Sequence, residues 1–176
     1  YPKKLKTNRS FRRVIREKKV HCLEGVLFAA AILREHGYPP LLSCIEAFHD
    51  WDHNVFLYKS ERKYGSIAAS RQTELWERAP IYKSLRDLML SYHPVYYNEQ
   101  GEFSMRGFSE IFDLRRYDEQ CIDWITTEEN LNFIENDLYK LVYQKLLPVN
   151  GRIYYKNTTG NRVVFIDNIG KAKFKF

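Results

Sequence analysis

His21-Cys22-Leu23-Glu24-Gly25-Val26-Leu27-Phe28-Ala29-Ala30-Ala31-Ile32-Leu33-Arg34-Glu35-His36-Gly37, residues 21–37, is the stretch that decides the fold. From Val26 to Leu33 every residue is apolar. A helix over such a run has no polar face, so it must be central and buried all round. Gly37 suits the left-handed position after a helix, and Pro39-Pro40 prevents any continuation. The pattern predicts a helix of roughly 13 residues with Cys22 in its first turn.

Beyond that helix the period of the sequence changes. Leu41–Phe48 has strand length and mostly apolar character, and a polar knot, His49-Asp50-Trp51-Asp52-His53, follows it. Asn54–Lys59 reads as a second strand, which turns through Ser60–Lys63 into a third, Tyr64–Ser70. Upstream, Thr7–Lys19 reads as a basic helix with Phe11, Val14 and Ile15 as its apolar contacts. Downstream, Tyr82–Tyr92 has helical spacing, Gly101–Asp113 is loop-like, and Thr127 caps an amphipathic helix. That helix carries Leu131, Ile134, Leu138, Leu141 and Val142 and stops before Pro148. Two short strands around Thr158-Thr159-Gly160-Asn161 close the chain. The class expected is α+β, a buried helix packed on a small antiparallel sheet with further helices and a C-terminal hairpin. Residues 1–149 form the domain, with the basic helix 7–19 at its start. The basic hairpin 150–176 is expected to pack on it.

Composition narrows the function classes. With 176 residues, 44% of them hydrophobic, the chain can bury a real core, which excludes a disordered tail or low-complexity array. Three cysteines exclude a disulfide scaffold and point to a reducing, cytoplasmic setting. No apolar run approaches the ~18 residues of a membrane helix, so no membrane partner is expected. No signal peptide is read, and the start at Tyr1 leaves room for residues upstream. The net charge of +6 is confined to the ends. Residues 1–19 hold nine Lys/Arg against Glu17, residues 150–176 hold six against Asp167, and the middle is acidic at −7. Such ends are solvated faces or arms, and nucleic acid is not the expected partner.

Cys22 is the first candidate for chemistry. A thiol in the first turn of a helix meets unpaired backbone N–H groups and the positive end of the helix dipole, and both favour thiolate. Glu24 suits the same helix end, although a carboxylate so close also opposes ionisation of the thiol. His53 opens a strand 31 residues later. Cys44 and Cys121 read as buried, inert thiols. His49 and His53 stand four apart, a zinc spacing on a helix, but the surrounding sequence is loop into strand. No metal and no cofactor is expected. Arg78, Arg86 and Arg106 read as ion-pair partners for the acids of the middle segment.

Cysteine at the head of a buried helix, histidine at the start of a strand and a third residue on the next strand is a known layout. The chain resembles the transglutaminase-like, papain-like thiol enzymes, and within them an uncharacterised bacterial branch. The resemblance is carried by Val20-His21-Cys22-Leu23-Glu24-Gly25, Phe28-Ala29-Ala30-Ala31, Gly37-Tyr38-Pro39-Pro40-Leu41 and Asp52-His53-Asn54-Val55. It continues through Tyr64-Gly65-Ser66-Ile67, Arg78-Ala79-Pro80-Ile81-Tyr82, Leu85-Arg86-Asp87-Leu88 and Ser91-Tyr92, in order over residues 20–98.

The resemblance implies Cys22 as nucleophile and His53 as general base and later acid. Its third member is usually an aspartate on the following strand. Tyr64–Arg71 contains no acid, only Ser66 and Ser70 on the face that would reach His53. A serine hydroxyl can orient an imidazole but brings no charge. Trp51, Asp52 and His21 are candidates for lining the substrate cleft. The function implied is a thiol-dependent amide hydrolase or acyl transferase acting on a peptide or protein amide. The alternative is a catalytically impaired binding protein with the same fold and a protein partner.

Overall fold

The computed structural model describes residues 7–99 and 101–146 in full, and strands 152–156 and 162–166 as backbone. The Pro148 stop and the Thr158–Asn161 turn lie outside the described residues. The architecture is α+β, with helices packed on an antiparallel sheet.

The apolar run forms the helix that its sequence demands. After a short helix α1 (Phe11–Glu17), α2 spans Cys22–Arg34, and Val26, Leu27 and Ala30 in it are wholly buried. Gly37 follows at φ 81, a left-handed conformation that glycine adopts without steric cost. Strands β1 (Leu41–Ala47), β2 (His53–Ser60) and β3 (Lys63–Ile67) then form a meander. Both faces of this sheet are covered. Leu42 and Phe56 face α2, whereas Ile45, Val55 and Leu57 face a second cluster with Leu88, Met89, Tyr92 and Phe108. Burial on both sides explains why β2 reads as a continuous apolar run rather than an alternating one. Each fully buried large apolar side chain contributes about 1.5–3 kcal/mol.

The sheet is wider than the three strands legible in the sequence. Strand β4 (Glu77–Tyr82) pairs with β3, and β5 (Met105–Ser109) and the short β6 (Phe112–Asp113) both pair with β1. Strand β7 (Tyr143–Lys145) adds to β5, giving the order β4-β3-β2-β1-β5-β7. Gly101–Asp113 is therefore not a loop, because β1 offers it a free edge. Helix α3 is shorter than its periodicity suggests, Leu85–Leu90, because the Ser84 side chain caps it by accepting from the Asp87 N–H. Likewise α1 starts only after Ser10, which accepts from the Arg13 N–H, and ends at Lys18 in a left-handed conformation. A four-residue helix α4 (Arg115–Asp118) precedes α5. In α5 (Asn132–Tyr139), Ile134 and Leu138 are buried, whereas Val142 lies beyond the helix and is exposed. Strands β8 (Arg152–Lys156) and β9 (Arg162–Ile166) form the C-terminal hairpin.

Among the described residues no helix is long and apolar enough to cross a membrane. The basic N-terminal helix is largely neutralised within the fold. Arg9 and Arg13 pair with Glu17, and Arg16 pairs with Glu128.

Candidate thiol site

Cys22 is the first residue of α2, and its sulfur meets the end of the sheet. The Asp52 carbonyl oxygen lies 4.0 Å from Sγ, and the Asn54 Nδ2 donates to Sγ at 3.8 Å. The imidazoles of His21 and His53 stand beside the thiol and act on its titration. The four side chains come from two places only, the head of α2 and the start of β2. Register between β1 and β2 fixes the second, with His53 opposite Ile45 and Asn54 opposite Cys44.

The loop from β1 to β2 is tied down by several hydrogen bonds. Asp52 Oδ1 accepts from the Ala47 N–H at 2.9 Å, and Asp50 Oδ2 accepts from the Ser104 hydroxyl at 2.7 Å. The Tyr96 hydroxyl donates to the Trp51 carbonyl at 2.6 Å. Asp52 thus presents its carbonyl to the thiol while its carboxylate serves the loop. Trp51 is 82% exposed, so its ring does not pack into the core.

His53 is nearly buried between the rings of Tyr92 and Tyr96, whose centroids lie 6.5 and 6.3 Å away. Its Nε2 lies 3.2 Å from the Leu75 carbonyl oxygen. A carbonyl only accepts, so Nε2 carries the proton and Nδ1 is the basic nitrogen of the neutral ring. The loop after β3 is built to deliver that carbonyl. The Ala68 N–H donates to the Trp76 carbonyl at 2.5 Å, the Trp76 indole N–H to the Ser70 carbonyl at 2.7 Å, and the Arg78 guanidinium to the Glu74 carbonyl at 2.8 Å. Neither expected serine meets the imidazole. The buried Ser66 hydroxyl is 2.7 Å from the Tyr92 hydroxyl, and Ser70 lies beyond the end of β3 with its Oγ accepting from the Gln72 N–H. Sequence reasoning missed Leu75 because a main-chain carbonyl leaves no mark in residue type.

The same loop lies directly on α2. A Cβ placed on Gly25 would come 2.4 Å from the Ala69 Cβ, so the glycine is what lets the loop approach the first turn. Glu24, in that turn, is wholly buried and accepts from the His21 N–H at 3.0 Å, closing one half of a capping box.

Electrostatics favour the thiolate. Burial pushes the Cys22 thiol up, but the hydrogen bonds and charges of His21 and His53 outweigh it and bring the pKa from 9.0 to about 6. Cys44 shows the contrast. Burial, and to a lesser extent the charges of Asp52, Cys22 and Glu46, push it up to about 12 despite a hydrogen bond to Tyr143. Cys121 is exposed at φ 57, which corrects the expectation that it is buried. Its backbone conformation places it at the turn after α4, away from the core. Among the described residues, Arg78, Arg86 and Arg106 form none of the ion pairs expected of them. Arg78 donates to main-chain carbonyls and lies over the Tyr92 ring at 4.1 Å, and Arg106 donates to the Phe103 and Met105 carbonyls.

His49 stacks on Phe48 with centroids 3.8 Å apart. Among the described residues no group of three or more His, Cys, Asp or Glu side chains could hold a metal.

No curated protein sequence is significantly similar to the chain. The profile of one family, described as Vasohibin, matches residues 9–145, which include α1, the whole main sheet and every residue around the thiol. This agrees with the transglutaminase-like, cysteine-protease-like fold and gives no support for a bacterial branch. A buried helix headed by a cysteine, a histidine at the start of the facing strand and a family match over most of the length lead to one conclusion: the chain belongs to the vasohibin family.

Proposed function

We propose that the chain is a thiol-dependent amide hydrolase or acyl transferase in which Cys22 is the nucleophile and His53 its general base. The observation that carries this reading is the meeting of the Cys22 sulfur with the start of β2, at the Asp52 carbonyl and the Asn54 amide on either side of His53, whose Nε2 is held by the Leu75 carbonyl. With a pKa of about 6, the thiol is about nine-tenths ionised at neutral pH. His53 takes the thiol proton on Nδ1, and the thiolate attacks an amide carbonyl. The oxyanion forms at the head of α2, where the Asn54 amide is a hydrogen-bond donor beside the sulfur. His53 returns its proton to the departing amine as the C–N bond breaks. Water then releases the acyl group in a hydrolase, or an amine does so in a transferase, and Cys22 is regenerated.

A second reading draws on the neutral third partner. A carbonyl orients His53 but supplies none of the charge that an aspartate gives an imidazolium, which favours a binding protein with slow residual chemistry. Incubation with a mixed peptide panel, read by mass spectrometry, separates the two. New peptide termini or amide conjugates that vanish in Cys22→Ala support the enzyme. An unchanged panel, with Cys22 reacting only as an ordinary thiol, supports the binding protein.

A further inference from the structure

The head of α2 carries a second imidazole, and it is held more firmly by charge than the first. His21 Nε2 is hydrogen-bonded to the Thr7 carbonyl oxygen and lies 3.4 Å from Glu24 Oε1. Both neighbours only accept, so Nε2 keeps its proton in either charge state of the ring. Nδ1 is then the basic nitrogen of the neutral ring, the same tautomer as in His53, and the ring adjoins the Cys22 thiol and acts on its titration. The difference lies in what stands behind each ring. Behind His53 is a neutral carbonyl. Behind His21 is a carboxylate with no exposure to solvent.

That carboxylate cannot turn away. The Arg9 guanidinium donates to Glu24 Oε1 at 2.9 Å and to Oε2 at 3.1 Å, and the Arg9 N–H donates to Oε1 at 2.8 Å. The His21 N–H takes the remaining direction, at Oε2. Segment 7–10 is itself anchored, since Asn8 Nδ2 donates to Asn132 and Glu135 and the Asn8 carbonyl accepts from the Leu131 N–H. The charged or titratable groups facing His21 are Cys22 and Glu24 on α2, with Arg9 behind Glu24.

We propose that His21, held by Glu24 and Arg9, is the electrostatic partner of the Cys22 thiolate, a lasting cation beside the sulfur while His53 alone moves the proton. This rests on the reading of Cys22 as nucleophile. It acts on the other member of the ion pair, since an aspartate would stabilise the His53 imidazolium whereas a cation at His21 stabilises the thiolate. An imidazolium that gives up its proton to the leaving group can no longer stabilise the sulfur, whereas His21 keeps its charge through that step. The direction of its titration agrees. Burial lowers the His21 pKa, but the hydrogen bonds to Cys22 and Thr7 and the charge of Glu24 outweigh it and raise the pKa overall.

The test is the rate of Cys22 alkylation by iodoacetamide against pH, read at each cysteine by mass spectrometry, in the full chain. Its variants are His21→Gln, His21→Lys and His53→Gln. The His21 side chain is 41% exposed, so these substitutions leave the core intact. The expected result is a His21→Gln midpoint raised by about one pH unit or more, with alkylation near pH 6 reduced about fivefold or more. His21→Lys, a cation without proton-transfer ability at these pH values, should keep the midpoint close to that of the parent. A His21→Gln profile that superimposes on the parent while His53→Gln shifts overturns the proposal and leaves Cys22 and His53 as the working pair. A Lys variant that shifts as far as the Gln variant also overturns it, because charge would then not be the agent. A parent thiol that titrates near 9.0 overturns the nucleophile reading itself, and this proposal with it.

Discussion

The Nε2 atom of His53 lies 3.2 Å from the carbonyl oxygen of Leu75, so main chain rather than a carboxylate orients the imidazole beside Cys22. The loop that presents this carbonyl is held by the Trp76 indole, the Arg78 guanidinium and an Ala68–Trp76 hydrogen bond. Orientation of the base therefore depends on packing of the 68–78 segment, not on one replaceable side chain.

Ser66 offers a direct check on that assignment. Its hydroxyl is buried against the Tyr92 hydroxyl, away from the imidazole. Ser66→Ala leaves a buried phenol without its partner and should cost about 1–3 kcal/mol of stability. The pH profile of Cys22 alkylation should stay where it is. A shifted profile at unchanged stability would put Ser66, not Leu75, in charge of His53.

The thiols should separate cleanly by pH. Ionised Cys22 dominates above about pH 6, so its alkylation should fall as pH drops through that value. Cys44, buried and pushed up to about 12, should stay unmodified, and exposed Cys121 is the comparison. His53→Gln should raise the Cys22 midpoint and lower any amide turnover by about 10²–10⁴-fold. Stability follows the same sign. A thiol whose pKa is depressed by folding adds stability that is complete above about 9.0 and is lost as pH falls through about 6. The melting temperatures of the parent and Cys22→Ser should therefore draw together on acidification, as calorimetry across that range would read.

The parts of the fold legible in the sequence are those set by local pattern. An unbroken apolar run, Gly37 and Pro39-Pro40 bound α2 and place Cys22 at its head. Short, mostly apolar runs bounded by polar and turn residues mark β1 to β3, and with them the position of His53. Strands β4, β5 and β7 carry Pro80, Gly107, charged residues and exposed positions, and their extended state comes from pairing with a neighbouring strand. The site divides the same way. Cys22, His21 and His53 stand out from the sequence, whereas Asn54 does not and Leu75 acts through its backbone. The Arg9–Glu24 contact depends on how segment 7–10 crosses the head of α2, and local pattern does not encode that.

Gly25 tests how closely the loop after β3 must approach the helix. A Cβ there would meet the Ala69 Cβ at 2.4 Å, far inside van der Waals contact. Gly25→Ala should therefore destabilise by about 1–3 kcal/mol, despite alanine's better helix propensity. Adding Ala69→Gly should restore much of the loss, and a double-mutant cycle in denaturant measures the coupling. Independent, additive effects would mean that the loop does not rest on α2.

Arg9 provides the sharpest separation of stability from chemistry at the head of α2. Its guanidinium is the cation against Glu24, which has no exposure to solvent of its own. Arg9→Met should leave a buried carboxylate without its counter-charge and cost up to about 3–5 kcal/mol. Pairing it with Glu24→Gln removes the stranded charge, so the double variant should be more stable than Arg9→Met alone. That double variant also lacks the carboxylate behind His21, so its Cys22 midpoint should rise even where the fold has recovered. Urea unfolding and the alkylation profile, run on the same preparations, read the two effects apart. A double variant no more stable than Arg9→Met would show that Arg9 acts through packing of its stem rather than through the ion pair.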